Sequence, residues 1–273
     1  MNNKGTFSTL NPEAEIFKVI KSKQPAWWKL IVEDEELYID VRKDNYINVY
    51  YLGGSLTKIQ YKDGFLLEIH HKYLNLETSK KTYVLLDPEL LDKVKIEDIK
   101  SNIKNSLRNL QYEHPSEKRI QGELIIQNSN YIDSEFQFNQ DKKNGKLRID
   151  LIELKNGILS FVELKGISDN RLRNDEKRNF SETEIITQMK MYEKFISKYK
   201  NEIEEYYKKL IAIKLDLDLI KCSNADFILN LTPKLLIANT YKKDTKRRKE
   251  RVESIKSLLK ENNIKFEIIE WKS

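Results

Sequence analysis

The sequence predicts a mixed α/β protein in two parts: a small β-rich N-terminal domain, then a C-terminal domain in which helices and strands alternate. Three observations predict this class. Short runs rich in β-branched and aromatic residues fill residues 36–74. Helical and strand patterns then alternate from residue 116 to residue 271. An Asn-Gly pair at residues 156–157 separates two strand patterns, which is the strongest short-range signal of a β-hairpin.

Length and composition describe a globular protein. The chain has 273 residues, enough for about two domains of roughly 100–200 residues each. Its 8 glycines and 5 prolines exclude collagen-like and low-complexity scaffolds. The single cysteine, Cys222, excludes an intramolecular disulfide framework and a cysteine-rich zinc site. We expect a cytoplasmic protein, because there is neither a signal-peptide pattern nor an apolar run of about 20 residues that could cross a membrane.

Positive charge is concentrated near the C-terminus. The formal net charge is +6, and residues 242–251 alone hold seven basic and two acidic side chains. Such a patch suits a polyanion such as nucleic acid, although a solvated helix face has the same composition.

The N-terminal domain reads as an antiparallel meander. An amphipathic segment at residues 11–23 precedes four strand patterns, and a helical pattern over residues 87–112 ends before His114-Pro115. The predicted strands cover residues 36–44, 46–53, 55–63 and 65–74. His70 and His71 fall within one of them, so we expect their side chains on opposite faces. We place the domain boundary between residues 113 and 114, and residues 1–113 could contact a protein partner or a second copy of the chain.

The C-terminal domain, residues 114–273, has the predicted order α-β-β-β-α followed by β-α-β. Ser116 can cap the first helix, and Ser181 opens a capping box three residues before Glu184. The predicted strands cover residues 131–139, 147–154, 158–166, 233–241 and 265–271. The later helices cover residues 181–200, the segment up to 219, and residues 246–262.

The Asn156-Gly157 hairpin sets a register that brings two carboxylates together. A two-residue type I′ turn at these positions places Asp150 directly opposite Glu163, on one face of the sheet. Like charges in that position destabilise a sheet, whereas a divalent cation between them would reverse the interaction. Hard oxygen ligands of this kind suit Mg²⁺ or Mn²⁺.

Two basic residues share that face. Lys165 follows Glu163 by two residues, so strand alternation puts both side chains on the same side. An ammonium group there could orient an attacking water or stabilise charge on a phosphate. Arg148 falls opposite Lys165 in the same register, and we expect it to turn aside from that like charge.

Asp150 followed by Glu163-Leu164-Lys165 resembles the motif of the PD-(D/E)XK nuclease superfamily, with Ile149 in place of the proline. The resemblance covers about residues 114–270. It implies a restriction-endonuclease-like α-β-β-β-α-β core, a mixed central sheet flanked by helices. It further implies Mg²⁺- or Mn²⁺-dependent hydrolysis of phosphodiester bonds, with Asp150, Glu163 and the Leu164 carbonyl as metal ligands and Lys165 as the residue that positions or activates water.

The same family often carries a glutamate on the first core helix and, in some branches, Q-x-x-x-Y on a later helix. Glu117 is the better match for the glutamate and Glu123 is its rival. Gln188 and Tyr192 match the second motif and share one helical face. Glu117 could instead serve only the helix dipole, and Gln188 and Tyr192 could be a solvated amide and a core aromatic residue.

Basic residues in two segments are candidates for contact with a nucleic-acid backbone. The loop after Lys165 contributes Arg171, Arg173, Lys177 and Arg178, and the last helix contributes Lys246, Arg247, Arg248 and Lys249. Such contacts would give affinity that depends on salt and little on base sequence.

The expected function is therefore that of a metal-dependent nuclease, most readily a DNA endonuclease, with host defence or restriction as its setting by analogy. Two alternatives stay open. One is a catalytically silent module that binds nucleic acid or serves as a scaffold. The other is an effector nuclease that a ligand or protein gates through residues 1–113.

Overall fold

The protein is described by a computed structural model that covers residues 10–76, 81–108, 116–139, 146–173, 183–221 and 226–271. These residues form two β-sheets and seven α-helices, so the mixed α/β class is confirmed. No helix among them is both long and apolar enough to cross a bilayer.

The N-terminal sheet is antiparallel and has five strands in chain order. Its strands are β1 (Leu37–Arg42), β2 (Tyr46–Tyr51), β3 (Gly54–Tyr61), β4 (Phe65–His70) and β5 (Tyr83–Leu86). The accompanying helices are α1 (Glu15–Lys23), α2 (Ala26–Glu33) and α3 (Lys93–Arg108). The predicted meander is confirmed for the first four strands, whereas β5 was not predicted.

The C-terminal sheet is mixed. Its elements are α4 (Glu117–Gln127), β6 (Tyr131–Asn139), β7 (Lys146–Lys155), β8 (Ile158–Gly166), α5 (Glu184–Lys198), α6 (Lys200–Asp216), β9 (Ile228–Leu229), β10 (Lys234–Asn239), α7 (Lys246–Glu261) and β11 (Phe266–Glu270). The strand order is β11-β10-β8-β7-β6, with the short β9 paired to β8. The strands β6, β7 and β8 are antiparallel, and β10 is parallel to both β8 and β11.

The hairpin between β7 and β8 has the predicted register. Asn156 and Gly157 both have positive φ, 52° and 73°, as a type I′ turn requires. Lys155 pairs with Ile158, and the regular pairing runs back to Leu151 and Val162. Asp150 and Glu163 are the next residues along each strand, so the ladder ends where the two carboxylates begin.

The two sheets share one continuous hydrophobic cluster, which runs from Leu10 to Leu259 and includes Val41 of β1 and Ile132 of β6. The predicted domain boundary and His114-Pro115 fall in residues 109–115, outside the described residues. The division into domains therefore stays a prediction, and the contacts between the two sheets are described below.

Candidate active site

A cavity of about 690 Å³ opens between α4, the carboxyl end of β8 and α5. Its wall contains most of the residues singled out in the C-terminal sequence. Among the lining residues are Glu117, Asp150, Glu163, Leu164, Lys165, Arg171, Gln188 and Tyr192. The structure thus brings the two halves of the Asp150 and Glu163-Leu164-Lys165 pattern into one concave site.

Lys165 lies at the centre of this site. Its ammonium group is an ion-pair partner of the Glu163 Oε1 atom, and it donates a hydrogen bond to the Leu164 carbonyl at 2.8 Å. The Asp150 Oδ2 atom lies 3.6 Å from the same nitrogen. Both Glu163 and Lys165 are buried. Three oxygen atoms from consecutive turns of the hairpin therefore converge on one positively charged group.

Asp150 is fixed where the backbone ladder stops. Its Oδ2 atom accepts a hydrogen bond from the Leu164 amide at 3.0 Å, in place of the next backbone bond. The Asp150 carbonyl accepts a hydrogen bond from the Gln121 side chain on α4. The orientation of the Asp150 carboxylate is thus set by both the neighbouring strand and the first helix of the C-terminal part.

Glu163 is held from the side of α5. The Gln188 Nε2 atom donates to Glu163 Oε1 at 2.7 Å and to the Tyr192 hydroxyl at 2.6 Å. The Tyr192 hydroxyl lies 3.1 Å from Glu163 Oε2 and also bonds the Arg148 carbonyl. Burial, together with the charge of Glu163, raises the pKa of Tyr192, so its hydroxyl stays a donor. The amide-and-tyrosine pair thus contacts Glu163 directly.

The charge state of Glu163 is finely balanced. Burial and the neighbouring Asp150 carboxylate raise the pKa of Glu163 to about 7, against the opposing effect of the Lys165 ammonium and the Tyr192 hydrogen bond. A buried carboxylate beside a second carboxylate is costly to ionise unless positive charge is near. An additional cation at this point would favour the ionised form.

Glu117 begins α4 and reaches the end of β8. The helix is capped by Ser116, whose side chain accepts a hydrogen bond from the Arg119 amide. The Glu117 Oε1 atom accepts a hydrogen bond from the Gly166 amide at 3.2 Å, and burial raises the pKa of Glu117. Its rival Glu123 instead pairs with Arg119 at 2.7 Å and is absent from the cavity lining.

Sequence reasoning missed three polar residues of the site: Gln121, Asp169 and Glu135. Gln121 follows Glu117 by four residues on the same helix, so helical periodicity could have found it. Asp169 binds Arg171 through two oxygens, at 2.6 and 3.1 Å for the shortest contact of each. Arg171 also lies 3.7 Å from Glu117, which links the loop after β8 to α4.

Glu135 organises two cations at the cavity wall. Arg148 forms an ion pair with Glu135 and so turns aside from Lys165, as expected. Lys118 lies 3.8 Å from the same Glu135 oxygen, and both Arg148 and Lys118 line the cavity. Glu135 has a positive φ of 50° within β6, next to the Ser134–Leu151 pair, so a strained backbone position adjoins the site.

The predicted basic contacts fall in different places. Arg171 lines the cavity and Arg173 is exposed nearby, whereas Lys177 and Arg178 lie outside the described residues. Ser181, with its capping box, and Cys222 are also outside them. The first turns of α7 carry the other group. Of these, Lys246, Arg247 and Lys249 are exposed, and Arg248 stacks on the Tyr241 ring at 4.8 Å.

The start of α7 lies at the same edge of the sheet as the cavity. Ile237 of β10 pairs with Lys165 of β8, and the two strands are parallel, so their carboxyl ends meet. Arg251 of α7 donates a hydrogen bond to the Ile167 carbonyl at 2.8 Å, just after β8. The basic segment is therefore attached to the loop that closes one side of the site.

No protein-family model, curated protein or solved structure matches this chain. The chemistry of the site is therefore argued from its own residues.

The oxygen atoms at Lys165 fit a hard divalent cation. Within the described part of the chain, no group of three or more His, Cys, Asp or Glu side chains could hold a metal ion. The available set is smaller: Asp150, Glu163 and the Leu164 carbonyl. These oxygens already surround a cationic group, and carboxylate and carbonyl oxygens are the ligands that Mg²⁺ and Mn²⁺ prefer. With water completing the coordination, the set suits such an ion.

Proposed function

We propose that this protein is a metal-dependent nuclease of the PD-(D/E)XK type, with a restriction-endonuclease-like core, that hydrolyses phosphodiester bonds in DNA. The observation that carries the proposal is the convergence of Asp150, Glu163 and the Leu164 carbonyl on the Lys165 ammonium. The element order α4-β6-β7-β8-α5 and the parallel β10 support the proposed core. The proposed cofactor is Mg²⁺ or Mn²⁺.

Asp150, Glu163 and the Leu164 carbonyl would hold the ion. When bound, the ion would neutralise charge on the phosphate and favour ionisation of the attacking water. Lys165 would then be released from its contacts with the two carboxylates. Its ammonium could donate a hydrogen bond to a phosphate oxygen or to the water, where negative charge develops in the transition state.

The remaining residues prepare the reaction. The water oxygen forms a bond to phosphorus, and the bond from phosphorus to the 3′ oxygen breaks, which leaves a 5′-phosphate and a 3′-hydroxyl. Glu117, whose pKa burial raises, can accept a proton at the edge of the site. Gln188 and Tyr192 keep the Glu163 carboxylate in one orientation through their hydrogen bonds.

Cationic side chains around the cavity would hold the nucleic-acid backbone. Arg148 and Lys118 occupy one wall, Arg171 another, and the basic start of α7 lies beyond the loop after β8. Contacts of this kind supply affinity without base readout. They suit a polyanionic strand that crosses the carboxyl edge of the sheet.

One observation favours a second candidate, a catalytically silent module that binds nucleic acid. Lys165 neutralises both carboxylates without any other ion, so the site is also a closed ion triad. A silent module would keep this triad in the presence of metal and would bind nucleic acid without cleaving it.

A cleavage assay separates the two candidates. Purified protein is incubated with supercoiled plasmid, linear duplex and single-stranded RNA in Mg²⁺, Mn²⁺ or EDTA, and the 5′ ends of any products are analysed. We expect metal-dependent cleavage of DNA with 5′-phosphate ends, lost in Asp150→Asn and retained in the exposed control Asp44→Asn. Cleavage of RNA alone would change the substrate. Nucleic-acid binding with no cleavage in any metal would support the silent module, and equal cleavage in EDTA would overturn the metal requirement.

A further inference from the structure

The outer face of β5 carries a charged and apolar pattern that its own chain leaves exposed. Along residues 81–87 the odd-numbered side chains Lys81, Tyr83, Leu85 and Asp87 are all exposed, whereas the even-numbered Val84 is half-buried. Tyr83 is 52% exposed and Leu85 is 60% exposed. Strand alternation therefore gathers a cation, two large apolar side chains and an anion on one face, in that order.

This strand is also the last of its sheet. The strand order ends at β5, whose outer edge pairs with no other strand of the described residues. Unpaired edges with exposed apolar side chains are templates for pairing with another strand. The flanking segments extend the apolar character, because five of the eleven exposed large hydrophobic residues lie between positions 76 and 94: Leu76, Tyr83, Leu85, Leu90 and Val94.

We propose that β5 pairs antiparallel with β5 of a second copy of this chain, about a two-fold axis at Val84, to form a homodimer with one sheet continuous across both chains. In this register Lys81 of each copy faces Asp87 of the other, and Tyr83 faces Leu85. Each pair occurs twice by symmetry. The order cation, apolar, apolar, anion is thus complementary to itself when it is reversed.

Other symmetric registers lose this complementarity. A two-fold axis between antiparallel strands permits only shifts that move the axis by one residue at a time, since each residue must face its symmetry equivalent. With the axis at Leu85, Tyr83 faces Asp87 and Lys81 has no acidic partner. With the axis at Tyr83, Lys81 faces Leu85 and Asp87 is left outside. Charge complementarity therefore selects Val84.

Charge reversal in two separate chains tests the register. Lys81→Glu places an acid opposite Asp87 at both ends of the dimer, and Asp87→Lys places a base opposite Lys81. We expect the dimerisation Kd of either variant, measured by sedimentation velocity, to rise about tenfold or more. An equimolar mixture of the two variants should recover the wild-type Kd, because each strand then meets an opposite charge at both ends.

Matched controls and a second pair guard the interpretation. Lys62→Glu and Asp44→Lys reverse exposed charges in turns of the same sheet and should leave the Kd unchanged. Asp87 also caps the turn that begins at Pro88, so circular dichroism must show a folded variant. If Asp87→Lys is misfolded, Tyr83→Glu and Leu85→Lys replace the pair, since these two face each other. A monomeric wild type, or a mixture that does not recover association, would overturn the proposal.

Discussion

The buried hydroxyl of Tyr192 shows how a single residue can join two strands at the site. It accepts a hydrogen bond from Gln188, and it contacts both the Arg148 carbonyl of β7 and the Glu163 carboxylate of β8. The Tyr192 side chain is 2% exposed, so water cannot readily replace these partners. Removal of one partner from a buried polar network usually costs more than the hydrogen bond itself contributes.

Tyr192→Phe should therefore reduce both stability and cleavage. We expect a loss of about 1–3 kcal/mol in the free energy of unfolding, measured by urea denaturation, because two buried groups lose their partner. The cleavage rate should fall further than stability explains, since the Glu163 carboxylate loses one of its donors. Tyr61→Phe in the N-terminal sheet is the matched control. Unchanged cleavage in Tyr192→Phe would mean that the hydroxyl supports only the fold.

At this scale the sequence predicted the central residues and missed their supports. The Asn156-Gly157 turn determines the register, so the proximity of Asp150 and Glu163 followed from strand geometry alone. Glu135 could not be found in that way, because its positive φ departs from regular strand geometry. Asp169 lies in an irregular turn after β8, where no periodicity relates it to Glu117.

Helix α4 is the element that connects the N-terminal sheet to the site. It carries Glu117, Lys118 and Gln121, all of which line the cavity. Its Gly122 packs against the turn between β2 and β3, where a Cβ atom would lie only 2.7 Å from the Gly53 amide nitrogen. Two glycines thus allow the backbones of the helix and the turn to approach closely. Movement of the N-terminal sheet would be transmitted directly to this helix.

Gly122→Ala should displace α4 from that turn. An added methyl group in a helix interior gains about 0.5–1 kcal/mol from propensity, but a clash with backbone costs about 1–3 kcal/mol. We expect a net loss of stability in urea denaturation and a clear fall in cleavage, because Glu117 and Gln121 move with the helix. Gly64→Ala, where nothing lies within 4 Å of the added atom, should have neither effect. Equal behaviour of the two variants would contradict the close-packing role.

The elements themselves were mostly predictable from periodicity. Strands β6 and β8 have the expected bounds, because alternating apolar residues and clear turns delimit them. Strand β5 is short and exposed on alternate residues, so it has little apolar signal. The expectation for the two histidines was wrong. Strand β4 ends at His70, and His71 begins a 3₁₀ turn that brings the two rings into a stack at 4.9 Å.

Across the whole molecule, a buried polar network joins the two sheets. Arg42 of β1 donates to Asp40 at 2.9 Å and to Asp133 of β6 at 3.3 Å. Lys214 of α6 donates to Asp40, and the Tyr207 hydroxyl donates to Asp133. Burial, followed by the charge of Asp40, raises the pKa of Asp133 to about 6, although Arg42 and Lys214 oppose this rise. The network therefore carries a group that titrates near neutral pH.

Stability should then depend on pH through Asp133. An acid with a raised pKa in the folded state binds its proton more tightly there than in the unfolded chain, so its contribution to stability falls as pH rises from about 4 through about 6. Relative to Asp133→Asn, the wild type should lose on the order of 1–3 kcal/mol over that range, measured by urea denaturation at several pH values. Parallel curves would show that Asp133 is ionised in the fold with an ordinary pKa.

The site itself makes the most direct demand on the whole protein, because a bound divalent ion must stabilise the folded state. Thermal melts of wild type, Asp150→Asn and the exposed control Asp44→Asn, each in Mg²⁺ and in EDTA, measure this without any substrate. At a hundredfold excess over Kd, the ion should stabilise wild type and Asp44→Asn by about 2.7 kcal/mol, a rise of several degrees in Tm. In Asp150→Asn that rise should vanish, while the EDTA melt stays close to wild type because the amide oxygen can still accept from Leu164. If Mg²⁺ shifts none of the three proteins and Asp150→Asn lowers Tm by several degrees in EDTA, Asp150 serves only as an ion-pair partner of Lys165.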